Sequence, residues 1–335
     1  MAETLPFITP RPAPTRRLAS TGRPCQPLLV VLCLLIAPGV VFAQEPVPST
    51  PFVISVNVNL VVLHASVLNR RGLPIAGLHK EDFQIFDQGV QQQLTHFSNE
   101  DIPVTVGLVI DNSGSMRSKR SDVIAAALAF ARSSNPRDQM FVVNFNEKVS
   151  FALPPGVPFT DDVSQLQAAL ARVNANGQTA LYDAVDAALA HLSKGERDKK
   201  VLIIISDGGD NASKQSLEAV IAEAKRSEAV IYTVGLFDAA DEDRNPGVLK
   251  RFAEATGGET FLPDEVKDIV PVCVRIARDI RSQYTLAYVP SNPSDDGAYR
   301  TVQVRTGAPG LGRLVVRTRS GYFQSPAESA SHGSR

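Results

Sequence analysis

Two apolar runs dominate the hydrophobic pattern of the chain. Residues 104–115 read Val-Thr-Val-Gly-Leu-Val-Ile-Asp-Asn-Ser-Gly-Ser, and residues 201–208 read Val-Leu-Ile-Ile-Ile-Ser-Asp-Gly. Continuous apolar runs of this length are the pattern of parallel strands buried on both faces. Around them the apolar spacing turns helical. Val163, Leu166, Leu170 and Val173 mark one helix face, and Leu181, Ala184, Val185, Ala188, Leu189 and Leu192 mark another. Further helices are predicted near 119–133, near 214–228 from a cap at Ser213, near 247–256 up to Gly257-Gly258, and over 264–282. Strands are predicted at Met140–Phe145 and Val230–Gly235, with a short edge strand at Glu259–Leu262. Strands and helices therefore alternate over 102–262, which predicts a parallel sheet covered on both faces.

The flanks carry a different period. Val53, Ser55, Asn57 and Asn59 alternate with Ile54, Val56, Val58 and Leu60, a spacing of two. Asn69-Arg70-Arg71-Gly72 is a turn signal, and Asp82–Gly89 reads as a strand running into a second turn. Beyond the helical region, Tyr284–Val289, Thr301–Thr306 and Arg313–Thr318 read as strands. Neither flank is long enough to bury a core alone. Together they offer about six strands, enough for one sandwich, so the α/β region is expected to be inserted into, or flanked by, a composite β domain.

The chemistry lies at the ends of the two apolar runs, where open α/β sheets bind ligands. Asp111, Ser113 and Ser115 place one carboxylate and two hydroxyls on alternate residues, and Asp207 ends the second run. Gly208-Gly209 after it signals a tight turn on the same edge. Between the runs, Asn176-Gly177-Gln178-Thr179 opens a helix, with Thr179 as its cap or as a further oxygen donor. All five are hard oxygen donors suited to Mg²⁺, Ca²⁺ or Mn²⁺. The competing reading is plain capping of the helix after Met116.

With these five positions in this order, the chain resembles the von Willebrand factor type A domain. The metal-ion-dependent adhesion site of that family has the pattern Asp-x-Ser-x-Ser, a distant Thr and a distant Asp. The resemblance covers about 100–282. It implies a doubly wound, mostly parallel, Rossmann-like sheet in the α/β class, beside the β-sandwich-like domain expected from the strands of the two flanks. It also implies a divalent cation, Mg²⁺ ahead of Ca²⁺ or Mn²⁺, at Asp111, Ser113, Ser115, Thr179 and Asp207. Asp111 and Asp207 usually act there through water in at least one state. The implied partner is a protein that supplies an Asp or Glu carboxylate to the cation. The flanks, with Asp82-Phe83 and Gly321-Tyr322-Phe323 at their outer ends, look like exported bacterial proteins in which such a domain sits between β segments.

Composition changes this picture little. The chain has 335 residues, 44% of them hydrophobic and 21% charged, a globular balance. A net charge of −1 gives no support to a nucleic-acid partner. There is no Walker loop, GxGxxG fingerprint or paired Cys motif, and His64, His79, His96, His191 and His332 lie away from the five donors in sequence.

The first 43 residues read as a targeting segment. Arg11, Arg16, Arg17 and Arg23 form a basic region, Leu28–Ala43 is apolar, and Val41-Phe42-Ala43 suits a signal peptidase. Export to the periplasm or outside the cell follows, with an uncleaved anchor at 28–43 as the alternative and membrane contact only in that case. Cleavage would leave Cys273 as the lone cysteine, a buried small hydrophobe. The expected organisation is therefore 1–43 signal, 44–52 leader, 53–99 β segment, 100–282 α/β domain, 283–323 β segment and 324–335 disordered tail.

Three functions share this site: a metal-dependent adhesin, a scaffold of a cell-envelope complex, and a metal-dependent hydrolase. Hydrolysis needs an open metal position and a general base. Asp210 and Glu147 are acids that could lie near the same sheet edge, but no nucleophile–base pair or GxSxG elbow accompanies them, so no enzyme is expected. The acidic loop from Phe237 to Asp243 reads as solvated, or as a rim that repels mismatched acidic partners. Asn211-Ala212-Ser213 matches a glycosylation sequon, with a helix-cap role for Ser213 preferred.

Overall fold

The computed structural model describes residues 60–172, 175–237, 243–293 and 297–324. The expected signal, leader, the alternating positions 53–59 and the tail after Gln324 lie outside them. The N-terminal flank forms β1 (Val61–Leu68), β2 (Phe83–Asp87), β3 (Val90–Gln92) and β4 (Leu94–Ser98). The α/β region follows: β5 (Val104–Asp111), α1 (Arg120–Ser133), β6 (Gln139–Phe145), β7 (Val149–Phe151), α2 (Val163–Ala171), α3 (Leu181–Leu192), β8 (Lys199–Ser206), α4 (Leu217–Arg226), β9 (Val230–Gly235), α5 (Pro246–Thr256), β10 (Thr260–Phe261) and α6 (Ile269–Arg281). The C-terminal flank adds β11 (Tyr284–Tyr288), β12 (Tyr299–Thr306), β13 (Val315–Arg317) and β14 (Gly321–Phe323).

The α/β region is built on a six-stranded sheet in the order β10-β9-β8-β5-β6-β7, with only β7 antiparallel to its neighbour. Every residue of β5 is buried, as its uninterrupted apolar run requires. Helix α1 packs on α6 and α2, while α3 packs on α4 and α4 on α5, which gives one helix layer per face. The chain leaves β5 for β6 on one side and returns to β8 on the other. The carboxyl ends of β5 and β8 thus flank the point where strand order reverses, the crevice of a doubly wound sheet.

The two flanks build two four-stranded antiparallel sheets, β13-β1-β11-β4 and β14-β12-β2-β3. Each sheet mixes strands from both ends of the chain. Leu63, Leu286 and Tyr284 of the first meet Phe83, Ile85, Val304 and Tyr322 of the second in one apolar core. At its centre, buried Asp87 accepts hydrogen bonds from the hydroxyls of Tyr288 and Tyr322, each at 2.9 Å, and pairs with buried Arg300 at 2.9 Å. Tyr288 comes from the sheet opposite to the other three, so this group ties the layers together. The resulting sandwich has more strands than the six expected. Hairpin strands β3 and β4 and the short β14 are too brief to show a period of two.

Three local expectations need correction. Helix α4 begins after Ser216, whose side chain accepts from Ala219 N at 3.3 Å, and not at Ser213. The closing helix starts at Ile269, after a single 3-10 turn, instead of near 264. Pro271 explains this, since proline is tolerated only in a helix's first turn. Third, the expected strands omit β7, a three-residue edge strand. Cys273 is a free, buried thiol that burial pushes up to about 12. No helix among the described residues is long and apolar enough to cross a membrane.

Candidate metal centre

Parallel pairing sets Ile110 of β5 opposite Ile205 of β8, so Asp111 and Ser206-Asp207 leave adjacent strands at the same edge. Strand neighbours lie about 4.8 Å apart, which puts two carboxylates side by side. Both are buried, Asp111 at 2% exposure and Asp207 at 3%.

Asp111 is held on two sides. Its Oδ1 accepts from Ser113 N at 2.8 Å and its Oδ2 from the Ser206 hydroxyl at 2.6 Å. Burial pushes its carboxyl up to about 6; the Ser206 hydrogen bond opposes that shift and the neighbouring charge of Asp207 reinforces it. Asp207 Oδ1 accepts from Gly209 N at 2.9 Å, and Oδ2 accepts from the Ser115 hydroxyl at 2.5 Å. Gly208, at φ +79°, makes the turn between them, and a Cβ there would overlap the Asn245 carbonyl.

Ser113 begins a 3-10 stretch, Gly114–Lys119, but its side chain makes no capping bond. Its Oγ lies 3.1 Å from Ser115 Oγ instead. The capping alternative for these hydroxyls is therefore not what the structure contains. Ser113, Ser115 and Asp207 form one chain of side-chain oxygens, with Asp111 joined to it through the Ser113 amide.

Thr179 enters through its backbone. Helix α3 begins after Ala180, so Thr179 is one residue outside the cap, and no side-chain cap is made there. Gly177 O accepts from Gly114 N at 3.1 Å and Asn112 O from Asn176 N at 2.9 Å, which fastens the Thr179 loop to the Ser113–Ser115 loop. On its other side, Thr179 N donates to Asn211 Oδ1 at 2.9 Å, and Thr179 O accepts from the amides of Asn211 and Ala212 at 2.9 and 3.0 Å. Thr179 itself is buried at 7% exposure.

Asp210 and Glu147, the two candidate bases, both lie close to this edge. Asp210 is committed to structure: its Oδ2 accepts from Tyr182 N at 3.0 Å and from the Ser213 hydroxyl at 2.6 Å. Ser213 Oγ in turn accepts from Asp183 N at 3.1 Å, so Ser213 caps α3 from a distance and not α4. The Glu147 carboxylate packs against Gly177, where a Cβ would overlap it. Asp243, the described end of the acidic loop, accepts from Asn211 Nδ2 at 3.1 Å; residues 238–242 lie outside the described ones. Sequence reading missed Ser206 and Asn211. Ser206 had a signal, a hydroxyl beside Asp207 at a strand end.

The donor set fits a small, hard cation. Oxygens sharing one Mg²⁺ at 2.0–2.1 Å in octahedral geometry lie about 2.9 Å from each other. Ser113–Ser115 at 3.1 Å and Ser115–Asp207 at 2.5 Å bracket that separation. Among the described residues, no three His, Cys, Asp or Glu side chains gather into a metal-binding group, so a cation at this edge depends on the hydroxyls.

Residues 106–209 match the family model of the von Willebrand factor type A domain. This segment of the chain is a von Willebrand factor type A domain. Among solved structures, a von Willebrand factor type A protein from Catenulispora acidiphila is 16% identical, with 77% of this chain and 74% of that one covered and a TM-score of 0.50. The von Willebrand domain of the type V pili tip protein Mfa5 from Porphyromonas gingivalis is 15% identical over 54% of this chain and 95% of that one, with a TM-score of 0.46. An aerotolerance-related membrane protein from Bacteroides fragilis is 15% identical over 53% of this chain and 98% of that one, at 0.42. At such identities the likeness is one of fold. No curated protein matches the chain. The matched residues run from β5 to the turn after β8; α4, β9, α5, β10 and α6 complete the same α/β unit, and the sandwich is built by the segments on either side of it.

Proposed function

We propose that the chain is an exported protein whose type A domain binds a protein ligand through a divalent cation, Mg²⁺ ahead of Ca²⁺ or Mn²⁺. Ser113, Ser115 and Thr179 would hold the cation, with Asp111 and Asp207 supplying charge directly or through water. The observation that carries this reading is the run of oxygens Ser113–Ser115–Asp207 at the sheet edge, with a second buried carboxylate, Asp111, next to it. When bound, such a cation is a Lewis acid with a coordination position open to an outside carboxylate.

The residues of the chain set what can fill that position. Hydroxyl donors leave the positive charge less neutralised than carboxylate donors would, so an Asp or Glu from a partner completes it. Asp210 is engaged in capping α3, which leaves it unsuited to act as a base and favours binding over hydrolysis. Adhesin and envelope scaffold use the site in the same way. Export rests on the basic region, the apolar run 28–43 and Ala43; intact mass of the recovered protein, with Gln44 as the expected first residue, tests it.

The deciding experiment is thermal unfolding with Mg²⁺ and with EDTA. Metal at 100 times its dissociation constant is expected to add about 2.7 kcal/mol, and Asp111→Ala to abolish the gain while the fold survives. A melting curve indifferent to both additions would overturn the reading.

A further inference from the structure

The loop between β8 and α4 joins the start of α3 to the cation site. Helix α3 starts at Leu181 after the N-cap Ala180, which makes no side-chain cap, and its first amides still need acceptors. That loop supplies them. Asp210 takes Tyr182 N and Ser213 takes Asp183 N. Lys214 and Gln215 donate their amides back to Asp183 at 3.0 and 2.9 Å. These bonds fix the helix.

Asn211 does something different. It bonds outside the helix, to both sides of the Thr179 residue: its side-chain oxygen takes the amide, and its own amide reaches the carbonyl. Its Nδ2 is held by Asp243, at the end of the acidic loop. Asp243 precedes Arg244 and Asn245, and Asn245 N donates to Asp207 O at 3.0 Å. One side chain therefore links Thr179 to the segment that carries Asp207.

We propose that Asn211 is a positioning residue for the cation site, a strut that fixes Thr179 relative to Asp207 so that hydroxyl and carboxylate meet the same ion. This inference rests on the site proposed above. Residues that orient ligands without touching the metal commonly change metal affinity about 10–100-fold when removed. A bond that fixes a ligand's backbone belongs with them, because the Thr179 side chain is short and follows its backbone.

The test is Mg²⁺ and Mn²⁺ titration calorimetry on the full mature chain, with hydrogen exchange of the Thr179 amide measured without metal. Asn211→Ala is expected to weaken metal binding about tenfold and to speed exchange at Thr179. In a Thr179→Ala background the same change is expected to have no further effect on metal affinity. Ser213→Ala, which removes a cap of α3, is expected to lower the melting temperature and leave metal affinity unchanged. Asn211→Gln shifts the amide by one methylene and serves with the same expectation where the alanine variant does not fold.

Wild-type affinity in either Asn211 variant would overturn the positioning role alone. So would unchanged exchange at Thr179, or an equal loss in the Thr179→Ala background. Absence of metal uptake by the wild-type chain would instead overturn the site, and this inference with it.

Discussion

The hydroxyl of Ser206 donates to Asp111 Oδ2 at 2.6 Å, from the last residue of one parallel strand to the last residue of its neighbour. The same oxygen accepts from Gly208 N at 3.0 Å. One side chain thus orients the carboxylate at the end of β5 and shapes the turn that follows Asp207. Strand order explains why this works: β8 lies directly beside β5, although 95 residues separate Asp111 and Ser206 along the chain.

Ser206→Ala removes a buried donor from a buried carboxylate, and leaving such a group unsatisfied costs about 1–3 kcal/mol. Denaturant unfolding without metal is the measurement. A loss below about 0.5 kcal/mol, the ordinary scatter of surface substitutions, would show that Asp111 does not depend on this bond.

The strand-end pattern made the position of Asp111, Ser113, Ser115 and Asp207 legible, because a buried strand declares its own end by the first polar residue after it. What bonds to them was not legible. Ser206 reads as the last residue of a strand, and its partner sits 95 positions away. In sequence Asn211 reads only as the first residue of a sequon, since its bond to Thr179 exists only once α3 and the β8–α4 loop are packed. Ser213 and Ser216 are equally good caps by residue type. The structure separates them because the Ser213 oxygen is already taken by α3. The sandwich was expected from two incomplete flanks. Its pairing, which interleaves β1 with β11 and β2 with β12, could not be read from alternation alone.

The interleaving makes the C-terminal flank indispensable. A chain truncated after Ser282 loses β11–β14, which leaves β1 without either partner and strips the core around Phe83 and Ile85. Exposed apolar strand faces and unpaired edges drive aggregation. The truncated chain is expected to be insoluble, or to bind a hydrophobic dye strongly, while 100–282 alone still folds. Equal solubility of truncated and full mature chains would contradict a shared core.

Asp87 tests the centre of that core. Asp87→Ala leaves Arg300 buried without its carboxylate, a change that costs about 3–5 kcal/mol. Tyr322→Phe removes one neutral donor to the same carboxylate and is expected to cost about 1 kcal/mol. Urea unfolding of both variants checks the order. A milder effect for Asp87→Ala than for Tyr322→Phe would show that the ion pair does not organise the layer contact.

His64 gives the sandwich an acid-sensitive element. Burial, and then the charges of Lys199 and Arg319, lower its pKa to about 3 from an ordinary 6.5. A base with a depressed folded pKa contributes stability that is present above pH 6.5 and is lost as pH falls toward 3. Asp138 works the other way: burial raises its carboxyl to about 6, so acidification relieves it. Comparison with a variant isolates the histidine. Between pH 7 and pH 5, His64→Gln is expected to lose about 1–2 kcal/mol less than the wild type. Parallel pH profiles would mean that His64 protonates freely in the folded chain.

Gly177 tests whether the Thr179 loop must sit where it does, without touching any oxygen donor. Its φ of +82° lies in the left-handed region, its carbonyl accepts from Gly114 N at 3.1 Å, and the Glu147 carboxylate occupies the space a side chain would need. Gly177→Ala therefore meets two separate penalties, about 1 kcal/mol or more of backbone strain and an overlap with Glu147. Pairing it with Glu147→Ala removes the overlap and leaves the strain. The single variant is expected to lose the Mg²⁺-dependent rise in melting temperature, because the displaced loop carries Thr179 away from Ser113 and Ser115. The double variant is expected to regain part of that rise while staying less stable than Glu147→Ala alone. A Gly177→Ala chain that keeps the full metal-dependent rise would show that the loop tolerates displacement, and that Thr179 is not a donor to the cation.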